Sequence, residues 1–422
     1  MKKNFILLLL SIVTFSFNQV FAQNLVEDQI TLGSGYENDV YYSMKDGVVA
    51  TVPRTNWDIA FKTTHIDATI ITNGGAGIEL YTYPNGDISS WATVDTAGLY
   101  QWKKQYNTPA IWENGGAFNV NATQNMFDFG WGVYNPVSHD VVGDSLFIIK
   151  LQDGSYKKLR VDKKESIKDI YHFTYANLDG TDEKGKTLDL STYSEKLFLY
   201  YSLSENQELD REPQDKWDFV FTKYIGIVPD QDNNLSYYAL TGALLNEKRE
   251  ANKFTEVDQN TFVKWYNKPL EKITDRIGAD WKYFDMTEMT YVVFDDIVYF
   301  VKDINGDIYK LFFTDFEGTS TGIIKLKKGL ASPVGVEDIS KIDHISIFPN
   351  PATDFISVKW ENKRGVEMKL SLVSMDGRTI SKVELPSSMN QKNIDLSDID
   401  SGVYMLILEE GNKKYTEKIL VK

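Results

Sequence analysis

The sequence predicts a mainly β protein, built as two tandem β-rich units followed by a smaller all-β domain. Three observations carry this. The chain holds 24 Tyr, 23 Phe and 9 Trp in 422 residues, an aromatic load that suits pleated, half-buried surfaces. Asn-Gly and Asp-Gly dipeptides, which favour tight hairpins, separate its alternating apolar runs. The stretch WDIAF (57–61) returns as WDFVF (217–221), so the middle of the chain is written twice. A chain of this length exceeds one ordinary core and has room for two or three.

The first 22 residues read as a secretory signal peptide. Lys2 and Lys3 precede the apolar run FILLLLSIVTFSF, and small Ala22 stands before an expected cut near Gln23. No later segment approaches 18 continuous apolar residues, so none is read as a membrane span.

The repeat extends well beyond one pentapeptide. VYYSMKDG (40–47) is echoed by LYYSLSEN (199–206), and WGVYN from Trp131 by WKYFD from Trp281. DSLFIIKLQDGSYKKL (144–159) aligns without a gap to DIVYFVKDINGDIYKL (296–311). Three tryptophan pairs keep their order, Trp57 with Trp217, Trp102 with Trp265 and Trp131 with Trp281. The expected units are residues 23–186 and 187–330. In the repeated strand, Trp57, Ile59 and Phe61 alternate with Asp58 and Ala60, the period of a half-buried strand.

Asn85-Gly86, Asp153-Gly154 and Asn305-Gly306 are expected to form type I′ hairpin turns. The clearest helix candidate is short, around Asp258–Asn267, with Asp258 as its N-cap. Residues 331–344 read as a linker. Beyond them, ISIFPNPATDFISVKW supplies two strands, and hairpins are expected around Asp376-Gly377 and Glu410-Gly411. Six or seven strands in so short a stretch, with Ile356, Val358 and Trp360 on one face, predict a small immunoglobulin-like sandwich.

Composition excludes several function classes. Cysteine is absent, which removes disulfides, a lipid-modified cysteine anchor, thiolate nucleophiles and sulfur-bound metal. Net charge is −15; residues 345–422 carry 11 charges of each sign and the signal peptide +2, so −17 falls on residues 23–344. A field of that sign repels phosphate backbones and argues against nucleic-acid binding. No G-x-S-x-G or H-E-x-x-H motif occurs, and no enzymatic activity is expected. TNGGAG (72–77) lies between strand-like runs and reads as a loop, and DQDNN (230–234) lacks the glycine and distal glutamate of a calcium loop.

Two resemblances add to this reading. The C-terminal phrases FPNPATDFISV, LSLVSMDGR, IDLSDIDSGVYMLIL and KILVK resemble the sorting domain of type IX (Por) secretion substrates from Bacteroidetes. That resemblance implies a periplasmic intermediate, recognition by an outer-membrane translocon, and release or surface attachment. The repeated unit, through WDIAF followed by TNGGAGIELY and through FIIKLQDGSYKKLRV, resembles the HmuY-type haemophores. These are β-rich proteins whose best-known members hold haem between two axial His or Met side chains.

The resemblance to HmuY makes haem, or another porphyrin, the one ligand to look for, and axial ligation needs two donors beside an apolar slot. His139, in NPVSHDVV, corresponds in position to Met286 and Met289, in DMTEMTYVV, and Met126 is the candidate opposing ligand in the first unit. His65 beside its strand and His344 at the linker are poor candidates. The expected protein is therefore a secreted or cell-surface binding protein. The alternative is a structural or adhesive surface protein with no small-molecule ligand.

Overall fold

The structure is a computed structural model that describes residues 25–65, 67–229, 232–331, 345–360, 367–374, 378–410 and 413–422. The signal-peptide stretch, the linker with His344, Asp230 of DQDNN, the Asp376-Gly377 turn and Gly411 lie outside them. The chain divides after Ala331 into two compact units. Among the described residues the named strands all pair antiparallel, with one isolated parallel bridge between Ala352 and Val421, and no helix is long and apolar enough to cross a membrane.

In the larger unit the strands run β1 (Val26–Thr31), β2 (Asn38–Ser43), β3 (Gly47–Pro53), β4 (Ile59–Lys62), β5 (Ile70–Thr72), β6 (Glu79–Thr82) and β7 (Lys104–Gln105). Next come β8 (Gly132–Asn135), β9 (Asp140–Gly143), β10 (Leu146–Lys150), β11 (Tyr156–Glu165), β12 (Ile170–Asn177) and β13 (Lys184–Asp189). The second half contributes β14 (Phe198–Ser202), β15 (Gln207–Leu209), β16 (Phe219–Pro229), β17 (Leu235–Leu245) and β18 (Glu250–Phe254). It ends with β19 (Lys282–Asp285), β20 (Thr290–Val293), β21 (Val298–Lys302), β22 (Ile308–Phe316) and β23 (Ile323–Leu330).

Two large sheets follow one plan. The first contains the path β6-β10-β11-β12-β13, and the second runs β18-β21-β22-β23-β1. The N-terminal strand thus occupies, beside β23, the place that β13 occupies beside β12. Two smaller sheets repeat this exchange. β4, from WDIAF, pairs with β14, from LFLYYS, while β16, from WDFVF, pairs with β2, from VYYS. Each repeated strand therefore meets the tyrosine strand of the other sequence copy.

The buried clusters follow the pairing, not a cut at residue 186. One runs from Ile59 to Leu203. The other gathers Ile30, Leu32, Tyr36, Val40, Tyr42 and Met44 with Phe219 through Leu326. A third cluster lies between them and contains Tyr41, Trp57, Ala60, Tyr200, Trp217, Val220 and Leu244.

The repeated strand is buried on both faces, unlike the expected half-buried strand. Ile59 and Phe61 enter the first core, but Trp57 joins Ala60 in the cluster between cores. The reason is a bend at Asp58 that breaks the alternation. Its buried carboxylate accepts the Leu203 N–H at 2.7 Å, and Asp218 accepts the Met44 N–H at 2.7 Å. Each aspartate so caps the turn that follows a Tyr-Tyr-Ser strand, which explains why the repeat keeps Trp-Asp together.

Asp153-Gly154 and Asn305-Gly306 do close hairpins, β10–β11 and β21–β22. Only the glycine of each pair has positive φ, at 86° and 89°, so each is a tight turn followed by a left-handed glycine and not type I′. Asn85-Gly86 joins no paired strands, because β6 pairs with β10 and β7. The expected helix at 258–267 is a turn capped by Asp258 and a single 3₁₀ turn, Trp265–Asn267. TNGGAG is a loop with one 3₁₀ turn, Gly74–Ala76.

The C-terminal unit has a three-stranded sheet, Ser346–Phe348, Phe355–Lys359 and Gln391–Asp395, and a four-stranded sheet, Met368–Ser374, Thr379–Leu385, Gly402–Glu410 and Lys413–Val421. Both contribute to one core containing Ile356, Val358, Trp360, Leu370, Leu406 and Ile419. The Tyr404 hydroxyl donates to the Asp400 carbonyl at 2.8 Å, a bond of the kind found at corners of immunoglobulin-like sandwiches.

Candidate functional site

The β8–β9 hairpin stands beside the loop that leaves β4. Its tip is set by Asn135, whose side-chain oxygen accepts the N–H groups of Val137 (2.9 Å) and Ser138 (3.3 Å). The chain then reaches His139 in the left-handed region, φ 61°. In the second half, Asp285 accepts the N–H of Thr287 (2.7 Å) and of Glu288 (3.2 Å), and Met289 sits at φ 52°. Met289 therefore occupies the position of His139, at the same point of an equivalent hairpin.

The loop after β4 is anchored from three sides. The buried Lys164 ammonium donates to the carbonyls of Thr64 (2.7 Å), His65 (3.2 Å) and Asp67 (2.5 Å). Burial pushes this ammonium down to about 8, and Asp67 and Asp169 partly offset that. The Trp131 indole N–H and the Asn119 side chain both reach the Ala68 carbonyl. Gly130, at φ 80°, lets the chain pass Asn119 closely; a Cβ there would lie 2.8 Å from the Asn119 carbonyl oxygen.

These elements surround an open cleft of about 650 Å³, lined by His65, Met126, His139 and the aromatic rings of Phe127, Phe129 and Tyr134. Its size lies within the range of small-molecule and cofactor sites. Val141, Ala68 and Ile167 complete an apolar wall. The Phe127 and Tyr134 rings stack at 5.8 Å.

The contacts of the two histidines decide which ring nitrogens are engaged. His65 Nδ1 lies 2.6 Å from Asp169 Oδ1 and 3.2 Å from the Ser166 carbonyl. Both partners only accept, so Nδ1 is the donor, and in the neutral ring Nε2 keeps its lone pair. His139 Nδ1 lies 2.7 Å from the Tyr134 hydroxyl; when Nδ1 donates to that oxygen, its Nε2 is likewise open. His172 has neither nitrogen to spare, with Nδ1 at Thr187 and Nε2 at Glu165.

Of the residues singled out in the sequence, the structure brings His139 and Met126 to one cleft. His65 joins them, although its place beside a strand had made it a poor candidate. Met286 and Met289 are 76% and 68% exposed on the β19–β20 hairpin and do not line this cleft. Below their hairpin Tyr291 packs on Phe284 (5.1 Å) and Phe316 (4.7 Å). Lys282 crosses there too, its ammonium 3.9 Å from the centre of the Trp281 ring. Among the described residues no group of three or more His, Cys, Asp or Glu forms a metal cluster.

Two family models match the chain. HmuY protein matches residues 35–175, and Secretion system C-terminal sorting domain matches residues 346–422. No curated protein matches it. The cleft, with His65, Met126 and His139, lies inside the first match. The chain thus carries one HmuY domain and, at its C-terminus, a secretion-system sorting domain.

Proposed function

We propose that the protein is a haem- or porphyrin-binding protein, exported by the type IX secretion system and released or displayed at the cell surface, and not an enzyme. One observation carries the ligand assignment: within the matched HmuY domain, His65, Met126 and His139 converge on one aromatic cleft. His139 and either His65 or Met126 would ligate the iron, and the rings of Phe127, Phe129 and Tyr134 would pack against the macrocycle. When bound, the haem would supply an iron centre open to such donors. The Asp169 carboxylate and the Tyr134 hydroxyl fix the two imidazole orientations.

Residues 217–331, completed by β1 to β3, are read as a second HmuY-like unit. The shared sheet order and the paired aspartate caps support this. Its hairpin carries exposed methionines above packed aromatic rings, which favours the first cleft as the site.

Haemin titrated into the mature chain is expected to give a sharpened, shifted Soret band. His139→Ala should abolish that shift, and His65→Ala or Met126→Ala should alter it according to which supplies the second ligand. A spectrum identical to free haemin would sink the assignment. For export, removing residues 345–422 is expected to trap the protein in the periplasm, and undiminished surface display would count against the sorting role.

One feature favours the adhesive alternative. The β16–β17 arm exposes Ile227, Leu235, Tyr237 and Tyr238, an apolar run of the type used for partner contact. A protein that leaves haemin unchanged but loses cell or surface attachment when this arm is made polar would answer to that reading.

A further inference from the structure

The histidine cleft carries no fixed charge on its wall. Its polar lining groups are His65, Tyr134, His139 and Ser166, and the other lining residues are apolar. Among the described residues no lysine, arginine, aspartate or glutamate lines it. Yet a basic segment runs beside it, since Lys163, Lys164 and Lys168 flank Ser166 and Ile167 in the chain.

Each of those three ammonium groups is already committed. Glu165 holds Lys168 at 2.6 Å and Lys163 at 3.1 Å, and it takes the His172 ring at 2.8 Å as well. The hydrogen bonds from Lys168, Lys163 and His172 hold its carboxyl down at about 2, so it stays ionised and keeps its partners through the neutral range. Lys164 is spent on the carbonyls of Thr64, His65 and Asp67.

The charge nearest the donor nitrogens has the opposite sign. Asp169 Oδ1 lies 2.6 Å from His65 Nδ1, and Asp140 follows His139 directly. A carboxylate carried into this cleft would lose its water, face Asp169 and meet no free cation, and an unpaired charge moved out of water is strongly disfavoured. The mouth offers the alternative. Met126 and Ile167, lining residues that are 83% and 70% exposed, stand where the cleft opens to solvent.

Resting on the haem reading above, we propose that the cleft grips an iron porphyrin by its metal and its apolar ring faces and leaves the carboxylates in water, so that porphyrins with amidated or esterified acid groups are taken as readily as haem. The class of ligand is then set by a flat apolar macrocycle with an iron open to imidazole or thioether donors, and its acid groups are not read.

The test compares haemin with its diamide, in which both carboxylates are made neutral, and with metal-free protoporphyrin IX, which keeps them. Each is titrated into the mature chain and followed by its Soret band and by quenching of tryptophan fluorescence. Haemin and the diamide are expected to bind within about threefold of one another, because no charge-assisted contact worth about tenfold or more is lost. Metal-free protoporphyrin should bind at least about tenfold more weakly. The double variant Lys163→Met and Lys168→Met, at surface positions, should bind haemin within about threefold of the natural chain. A haemin that binds but loses about tenfold or more on amidation overturns this inference alone. So does a loss of that size in the double variant for haemin but not for the diamide, which would mean that the lysines leave Glu165 for the carboxylates. Protoporphyrin binding as tightly as haemin overturns recognition through the metal. Absence of any Soret shift with haemin overturns the haem reading, and this inference with it.

Discussion

A chain beginning at residue 54 is expected to lose the second core while keeping the first. Removing β1 to β3 strips six fully or nearly fully buried side chains, Ile30, Leu32, Tyr36, Val40, Tyr42 and Met44, from the cluster that contains Trp281 and Phe313. At about 1.5–3 kcal/mol each, the loss is on the order of 10 kcal/mol, comparable to the whole stability of a domain. It also bares the edge of β23, whose residues 323–328 pair with Thr31–Val26. Hydrogen exchange is the measurement: amides of β21 to β23 should exchange rapidly, while those of β10 to β12 stay protected. A peptide of residues 25–53 added in trans should restore protection. Unchanged protection of β21 to β23 in the shortened chain would show that the N-terminal strands are ornamental to the second core.

Trp217→Ala is expected to cost about 3–5 kcal/mol, and Trp57→Ala a similar amount. Each indole packs edge-on against a tyrosine of the other sequence copy, Trp57 on Tyr200 at 4.9 Å and Trp217 on Tyr41 at 5.1 Å. The two tyrosine hydroxyls lie 3.3 Å apart, so the tryptophans are linked through a short chain of contacts between the cores. Each indole sits in the layer between the cores, so either substitution should lower the unfolding midpoint, Trp57→Ala chiefly that of the first core and Trp217→Ala chiefly that of the second. Denaturant unfolding followed in near-ultraviolet circular dichroism checks this. A cost below about 1 kcal/mol would refute the role given to the two indoles.

The repeated phrases in the sequence carry real structural content, down to single positions. Met289 and His139, matched by alignment, occupy equivalent left-handed positions on equivalent hairpins. What alignment could not reveal is the ring packing beneath the second hairpin. Tyr291 meets Phe316 there, a contact between separate strands.

His65 escaped sequence reasoning for a similar reason. Its donor Nε2 is made available by Asp169 and Ser166, about a hundred positions later, and its loop is held by Lys164. A lysine in a β-strand gives no local sign that its ammonium will be buried against three carbonyls. The Trp-Asp pair was easier to find but its role was misassigned. Period-2 alternation placed Trp57 on the face of Ile59, whereas the bend at Asp58 turns it to the opposite side.

By itself the sequence determined the β character, the doubling of the middle region, the hairpins at Asp153-Gly154 and Asn305-Gly306 and the separate C-terminal sandwich. Each of these rests on local alternation, on turn chemistry or on direct self-similarity. Only the tertiary structure decided which copy of each strand pairs with which, and so where the cores divide and which histidines meet. A strand apolar on both faces fits either neighbour equally well by pattern; the choice is made by packing across the layer where Tyr41, Trp57, Tyr200 and Trp217 interlock.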